Sequence, residues 1–131
     1  MSVNLYGQSC NMVELRKICD KYNLYLIEDS AQSHGSLYNN INTNNYADVS
    51  CYSFYPTKNL GAYGDAGALI LNNEELYNKA RAIRNYGSFV HYENMYTGVN
   101  SRLSELQAAL LSVKLDHIKE INSEKEKIIC G

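Results

Sequence analysis

The chain has 131 residues, of which 45% are hydrophobic and 20% charged, a composition that predicts one packed domain and excludes global disorder. Its 12 basic and 14 acidic residues are well mixed, with a net charge of −2, which argues against a nucleic-acid partner. No apolar run approaches the roughly 18 residues that a membrane span needs. The first ten residues lack the charged and apolar regions of a signal peptide, so we expect a cytoplasmic protein.

Helical and strand patterns alternate from the amino terminus onward. Residues 12–22 have apolar side chains at i, i+3, i+4 and i+7, which predicts a helix whose apolar face carries Leu15, Ile18, Cys19 and Tyr22. Residues 24–29, "LYLIED", form a short apolar run that predicts a strand. Residues 48–54, "DVSCYSF", are β-branched and aromatic and predict a second strand. The polar stretch "YNNINTNNY" between them predicts a loop or hairpin tip.

The remaining sequence predicts one more strand and two helices. Residues 67–71, "GALIL", form the third strand, and "NEELYNKARAIRNYG" forms a helix capped by Asn72 and closed by Gly87. A long helix, capped by Ser101 or Ser104, carries an apolar stripe of Leu103, Leu106, Leu110 and Val113. The order of elements predicts the α/β class with a mainly parallel or mixed sheet, and no linker divides residues 1–131.

Asp29 ends the first predicted strand, at the end of the sheet where α/β proteins place their chemistry. A carboxylate there is costly unless it has a partner. One interpretation is a helix N-cap or an ordinary loop acid. The other is a buried acceptor for a cationic ring nitrogen, which pyridoxal 5'-phosphate (PLP) requires. Gln32 can hydrogen-bond a ring substituent in the same neighbourhood, whereas His34 is at least as well explained as a structural histidine.

Lys58 lies in "CYSFYPTKNLGAYGDAGAL", between the second and third of these strands. A lysine between two strands is most often a solvated surface residue. Here Pro56 ends the strand, and the glycines that follow allow a tight path and close approach of a ligand. A lysine held in such a loop can form a Schiff base, and its released amine can move a proton.

Groups that can bind an anion lie on both sides of this lysine. Ser53 and Thr57 can offer hydroxyls to a phosphate. In "GVNSRLSE", a helix N-terminus flanked by Asn100 and Arg102 is a possible anion site, and the simple interpretation of a loop with a helix N-cap holds as well. The glycine pattern after Lys58, G-x-x-G-D-x-G, matches neither of the nucleotide-binding motifs G-x-x-x-x-G-K-[ST] and G-x-G-x-x-G. The four cysteines show no spacing typical of a metal site and predict reduced thiols.

Four segments, "LYLIEDSAQSHG", "SFYPTKNLGAYGDAGAL", "RNYG" and "GVNSRLSELQAALLSVKL", resemble in order and spacing the DegT/DnrJ/EryC1/StrS sugar aminotransferases. The resemblance runs from about Val3 to about Leu115. It implies the large domain of a PLP-dependent transferase with the aspartate-aminotransferase-like fold, fold type I. This chain is then expected to be an internal fragment of that domain. The phosphate-loop segment upstream and the small domain downstream are expected to lie outside it.

The resemblance also implies a role for each candidate site residue. Lys58 matches the lysine that holds PLP as a Schiff base, and Asp29 matches the acid that pairs with the pyridine nitrogen. Gln32 matches the residue near the ring hydroxyl, and Ser53 matches a phosphate ligand. Asn100 matches a residue that reaches the PLP phosphate of the neighbouring subunit, because family members are homodimers with shared active sites.

The reaction implied by the resemblance is a ping-pong transamination from glutamate to a nucleotide-linked keto-sugar. Lys58 favours this reaction over the dehydration catalysed by relatives that have histidine at that position. The tyrosine of "SFYPTK" favours amination at C3 of a dTDP-linked 3-keto-6-deoxy-sugar over amination at C4. The alternative hypothesis is a non-catalytic remnant or interaction module that kept the sheet and lost the chemistry.

Overall fold

Four strands form the central sheet of this computed structural model, which describes residues 1–90 and 93–130, the side chain of Cys130 excepted. The strands are β1 (Ser2–Val3), β2 (Ile27–Asp29), β5 (Val49–Ser53) and β6 (Gly67–Leu71), and they lie side by side in that order. The first three run parallel to one another, and β6 is antiparallel to β5. The mixed α/β sheet confirms the predicted class. The short β1 was not predicted, and β2 begins three residues later than expected.

Two small antiparallel pairs lie outside this sheet, β3 (Leu37–Tyr38) with β4 (Ile41–Asn42) and β7 (Ser88–Val90) with β8 (Glu93–Asn94). The β3–β4 turn consists of Asn39 and Asn40, whose φ angles are 51° and 63°. Two successive positive φ values are what a type I′ hairpin turn requires, and asparagine tolerates them. This confirms the hairpin tip predicted from the polar cluster.

Helix caps explain where three of the four helices begin. The helices are α1 (Met12–Lys21), α2 (Glu74–Ile83), α3 (Glu105–Asp116) and α4 (Ile118–Cys130). Side-chain oxygens of Asn11, Asn73 and Ser104 accept hydrogen bonds from the first turns of α1, α2 and α3. The prediction of Asn72 as a cap was therefore wrong by one residue. Asn72 instead donates to the carbonyl oxygens of Asn44 and Ala47, at 2.7 and 2.9 Å.

The predicted single long helix is in fact two helices separated at His117, where the backbone leaves helical geometry at φ −100° and ψ 2°. The break lets both helices contact one cluster: Leu111 of α3 is buried against Leu60 and Ala62, and Ile118 of α4 packs on the same residues. The predicted apolar stripe does not face the core along its length, because Leu106 and Val113 are exposed. Among the described residues, none of the helices combines the length and hydrophobicity that a membrane span requires.

The two faces of the sheet have different surroundings. On one face Leu26, beside β2, packs with Met12 and Cys19 of α1, which forms the main hydrophobic cluster. Two residues of the predicted apolar face of α1, Ile18 and Tyr22, are exposed instead. On the other face Ile27 and Leu69 remain substantially exposed, at 39% and 51%. The side chains of Asp29 and Cys51 belong to this less covered face, because alternate residues of a strand point to opposite sides.

Candidate active site

The carboxyl ends of β2 and β5 lie together and bring two predicted site residues to one end of the sheet. Asp29 pairs with Cys51 in the parallel register, and the N–H of Ser30 donates to the carbonyl oxygen of Cys51 at 2.8 Å. Ser53 lies two residues beyond Cys51 and therefore shares its face. The sheet thus positions a carboxylate and a hydroxyl at the edge where parallel α/β sheets bind their ligands.

The Asp29 carboxylate keeps part of its hydrogen-bonding capacity. It is half-buried, and Oδ1 accepts a bond from the N–H of Ala31 at 3.0 Å. No helix begins here, so the N-cap interpretation does not apply. Among the hydrogen bonds of the described residues, Oδ2 has no donor. Burial raises the pKa of the Cys51 thiol, and the negative charges of Asp29 and Glu28 raise it further.

Lys58 lies in a loop that is closed at its base by Phe54. The N–H of Phe54 donates to the carbonyl oxygen of Ala66, and its own carbonyl accepts from the N–H of Ala62, both at 2.8 Å. The N–H of Lys58 donates to the carbonyl oxygen of Tyr55 at 2.8 Å. This is the tight loop that the proline and glycines predict.

The packing of this loop explains why position 61 is a glycine. A Cβ at that position would come within 2.5 Å of the carbonyl oxygen of Pro56, which is closer than real Cβ atoms approach. The glycine therefore permits the loop to pack against its own backbone. A Cβ at Gly64 would meet only the Gln107 side chain, at an ordinary 3.7 Å.

His34 connects the loop after β2 with the end of β5. Its Nε2 donates to the carbonyl oxygen of Ser53 at 2.9 Å, which places the proton of the neutral ring on that nitrogen. The ring is buried beside Tyr52 and Phe54. Burial lowers the pKa of His34, the hydrogen bond to Ser53 opposes that change, and the positive charge of Lys58 lowers the pKa further.

The two remaining predicted site residues, Gln32 and Asn100, are both exposed. Gln32 is exposed in the loop after Asp29, and its Oε1 accepts from the N–H of Tyr6 at 3.1 Å. Asn100 is exposed and pairs through its backbone with Asn85. It lines a cavity of about 1010 Å³ with Cys51, Arg84 and Arg102, which neither Asp29 nor Lys58 lines. The structure therefore brings Asp29 and Ser53 to the same end of the sheet, with Gln32 in the loop after β2 and Lys58 in the loop after β5. Asn100 lies at a cavity that Cys51, the partner of Asp29 in the strand register, also lines.

The free hydrogen-bonding groups of Asp29, Lys58 and Ser53 fit the groups that PLP presents. Asp29 offers an acceptor for a protonated ring nitrogen. The Lys58 side chain makes no hydrogen bond or ion pair with the described residues, so its amine is available. Ser53 Oγ accepts from the N–H of Tyr55 at 3.3 Å and retains its own proton to donate to a phosphate. Among the described residues, no cluster of three or more His, Cys, Asp or Glu is placed to hold a metal ion.

Sequence reasoning missed two contributors to this region. Cys51 faces Asp29 across the strand pair, and only the register of β2 against β5 reveals it. Asn122 of α4 contacts the loops on both sides of the site, and no local sequence signal indicates this role. His34 was left open by the sequence, and its ring is now placed between the two loops.

Solved structures identify the class of protein to which this fold belongs. The structure of S. venezuelae DesV in complex with a ketimine intermediate superposes with a TM-score of 0.84 at 41% identity, covering 90% of this chain and 32% of that one. Bacillus subtilis NtdA with bound cofactor PMP gives a TM-score of 0.77 at 35% identity, covering 91% of this chain and 26% of that one. The fold is that of the PLP-dependent aminotransferases.

Sequence comparison identifies the family. Residues 1–130 match the profile of the DegT/DnrJ/EryC1/StrS aminotransferase family, and the chain belongs to it. The dTDP-3-amino-3,6-dideoxy-alpha-D-galactopyranose transaminase of Aneurinibacillus thermoaerophilus is 51% identical over 98% of this chain and 35% of its own length. The dTDP-3-amino-3,4,6-trideoxy-alpha-D-glucose transaminase of Streptomyces venezuelae is 40% identical over 98% of this chain and 34% of its own length. The chain thus spans about a third of these curated relatives.

Proposed function

We propose that this chain carries the central part of a PLP-dependent aminotransferase that acts on a nucleotide-linked keto-sugar. The observation that supports this proposal is the position of Asp29 and Ser53 at the carboxyl ends of β2 and β5, each with free bonding capacity, in a member of an aminotransferase family. Lys58 follows in the loop after β5. The phosphate-loop segment and the small domain belong to other parts of the whole protein in this proposal. This part of the proposal is supported by the comparison of lengths, because the chain spans about a third of the length of its relatives.

Each site residue has one task in this proposal. Asp29 would accept a hydrogen bond from the ring nitrogen and keep it protonated, and Ser53 would donate to the phosphate. Lys58 would hold the cofactor covalently, and its amine would move a proton. Gln32 hydrogen-bonds the ring hydroxyl, and Asn100 serves the site of the second subunit in a homodimer. When bound, PLP supplies the electron sink that makes the α-proton of an amino acid removable.

The proposed amino donor is glutamate, and the proposed acceptor is a dTDP-3-keto-6-deoxyhexose. The acceptor is supported by the names of two relatives, both of which are dTDP-3-amino-sugar transaminases. Tyr55 supports the same choice, as the tyrosine of "SFYPTK". The whole protein should aminate a dTDP-linked 3-keto sugar with glutamate. Turnover of the 4-keto isomer alone, followed by product analysis, would contradict the proposed position of amination.

The direct test is to add PLP to the chain, reduce with borohydride and map the adduct by peptide mass spectrometry. We expect the adduct on Lys58, because its amine has no hydrogen bond or ion pair among the described residues and its loop follows directly after Ser53. The Lys58→Ala variant should lose it without gaining labels elsewhere. Lys114 is a matched internal control, because its amine donates to the carbonyl oxygen of Gly61 at 2.6 Å and is thereby occupied. Scattered labelling, or none, would contradict the cofactor site and favour an interaction module.

A further inference from the structure

The two carboxyl-terminal helices hold the chain that follows Lys58. From α3, Lys114 donates to the carbonyl oxygen of Gly61 at 2.6 Å, and Gln107 Oε1 accepts from the N–H of Tyr63 at 2.8 Å. The Lys114 amine also lies 4.5 Å from the centre of the Tyr63 ring. From α4, Asn122 Oδ1 accepts a hydrogen bond from the side-chain amide of Asn59, the residue directly after Lys58. The loop of the candidate lysine is therefore held by residues 44 to 63 positions further along the chain.

Asn122 differs from the other contacts because it bonds two loops at once. Its Nδ2 donates to the carbonyl oxygen of His34 at 3.0 Å, while its Oδ1 receives the bond from Asn59. His34 lies in the loop that follows Asp29, and Asn59 lies next to Lys58. One half-buried amide thus spans the loop of the candidate acid and the loop of the candidate lysine.

The surroundings of Asn122 restrict the position of this amide. A Cβ at Gly35 would come within 3.1 Å of Asn122 Nδ2, so the loop approaches the amide closely. Gly35 also has a φ of +81°, a conformation that favours glycine. On the other side, Lys125 of α4 donates to Asn59 Oδ1, which leaves the Asn59 amide nitrogen to point at Asn122. The donors and acceptors of both asparagines are therefore matched.

We propose that Asn122 is a positioning residue, whose amide sets the spacing between the Asp29 loop and the Lys58 loop. The inference rests on the proposed function for its catalytic meaning, because the two loops carry the residues assigned to PLP. Asn122 acts through the backbone of His34 and through Asn59. A shift of about 1 Å in reacting groups can lower a rate a hundredfold, so a remote amide that fixes this spacing has a measurable effect.

Two substitutions at Asn122 separate its two bonds, and a third on the same helix is the control. Asn122→Ala removes both bonds, and Asn122→Asp keeps the acceptor for Asn59 while it loses the donor to His34. Ser123→Ala changes an exposed neighbour with no hydrogen bond among the described residues. Alanine favours a helix in both alanine variants, so a weakened α4 cannot explain a difference between them.

The first readout is hydrogen exchange without PLP at the amides of Lys58 and Ala62, which are bonded to Tyr55 and Phe54. Because Asn122→Ala loses both bonds, we expect it to speed their exchange by at least roughly fivefold, the effect of a single net hydrogen bond, while α1 exchanges as before. The second readout is attachment of PLP to Lys58, which should become roughly tenfold slower in Asn122→Ala. We expect Asn122→Asp to have a smaller effect on both amide exchange and PLP attachment, and Ser123→Ala to have no effect on either.

The two readouts distinguish the possible failures. Unchanged exchange at Lys58 and Ala62 in Asn122→Ala would overturn the positioning role. Faster exchange throughout the chain, α1 included, would also overturn it, because the residue would then act on global stability. If the unsubstituted chain takes no PLP on Lys58, the proposed function fails, and the exchange result alone decides whether Asn122 holds the two loops.

Discussion

Glu28 and Asp29 are adjacent acids on one strand, yet they lie on opposite faces of the sheet and have opposite surroundings. Glu28 is fully buried. Its Oε1 accepts from the side-chain amide of Asn4 at 2.5 Å, and its Oε2 accepts from the hydroxyl of Ser50. Asn4 in turn accepts from the N–H of Cys10 at 3.0 Å. Both carboxylate oxygens of Glu28 therefore have a donor within the chain.

Asp29 lies on the less covered face, half-buried, with one backbone donor. On that face Val3, which pairs with Asp29, and Leu69, which pairs with Cys51, are 45% and 51% exposed. Strand alternation alone separates the two acids. The comparison indicates that the satisfied acid serves the structure, whereas the acid with spare capacity is available to another molecule.

The largest expected effect on stability comes from removing the buried acid. Glu28→Ala should lower the free energy of unfolding by about 3 kcal/mol, because it leaves the donors of Asn4 and Ser50 without a partner and opens a cavity. Asp29→Ala should cost about 1 kcal/mol or less, the value of one hydrogen bond. Urea unfolding followed by circular dichroism measures both. Equal losses would remove the distinction between the two acids.

A second comparison concerns the Lys58 loop. Gly61→Ala should lower the free energy of unfolding by about 2 kcal/mol, because the new Cβ collides with the backbone of Pro56. Gly64→Ala should change it by less than about 0.5 kcal/mol, because its Cβ has ordinary space. PLP labelling of Lys58 should fall only in Gly61→Ala. Retained labelling in that variant would show that loop geometry does not control the amine.

The smallest expected effect is a pH dependence from His34. Its pKa is lowered in the folded chain, chiefly by burial, from an ordinary value of 6.5. The unfolded chain therefore binds the proton first, so folding stability is complete above pH 6.5 and falls as the pH drops from 6.5 to the folded pKa. His34→Gln should flatten this part of the stability curve, measured by urea unfolding at a series of pH values.

The matched control for this prediction is Lys58→Ala. The charge of Lys58 lowers the pKa of His34, so its removal should raise that pKa and reduce the pH dependence without abolishing it. A titration of the His34 ring by NMR measures the direction. A pKa that does not move would mean that the Lys58 amine lies too far from His34 to share a site with it.

Local patterns predicted the parts of this molecule that local geometry determines. The bounds of β6 were predicted correctly at residues 67–71, and the family and fold class are confirmed. The roles of Asp29, Gln32, Ser53, Lys58 and Asn100 stay predictions. The break at His117 was missed because neither glycine nor proline marks it. Periodicity identified which side chains of the last helices share a face, but not that Leu111 would meet the core. Asn122 acts through contacts with residues distant in sequence, which no short motif reveals.

The antiparallel pairing of β6 with β5 has a consequence for the order of folding. Ser53 pairs with Gly67, 14 positions away, whereas Ile27 pairs with Val49 across 22 positions and Ser2 with Glu28 across 26. Shorter closures cost less chain entropy, so we expect the β5–β6 hairpin to form before the parallel pairs. The segment with Lys58 then reaches its closed shape early, and the strand that ends in Asp29 docks beside it afterwards.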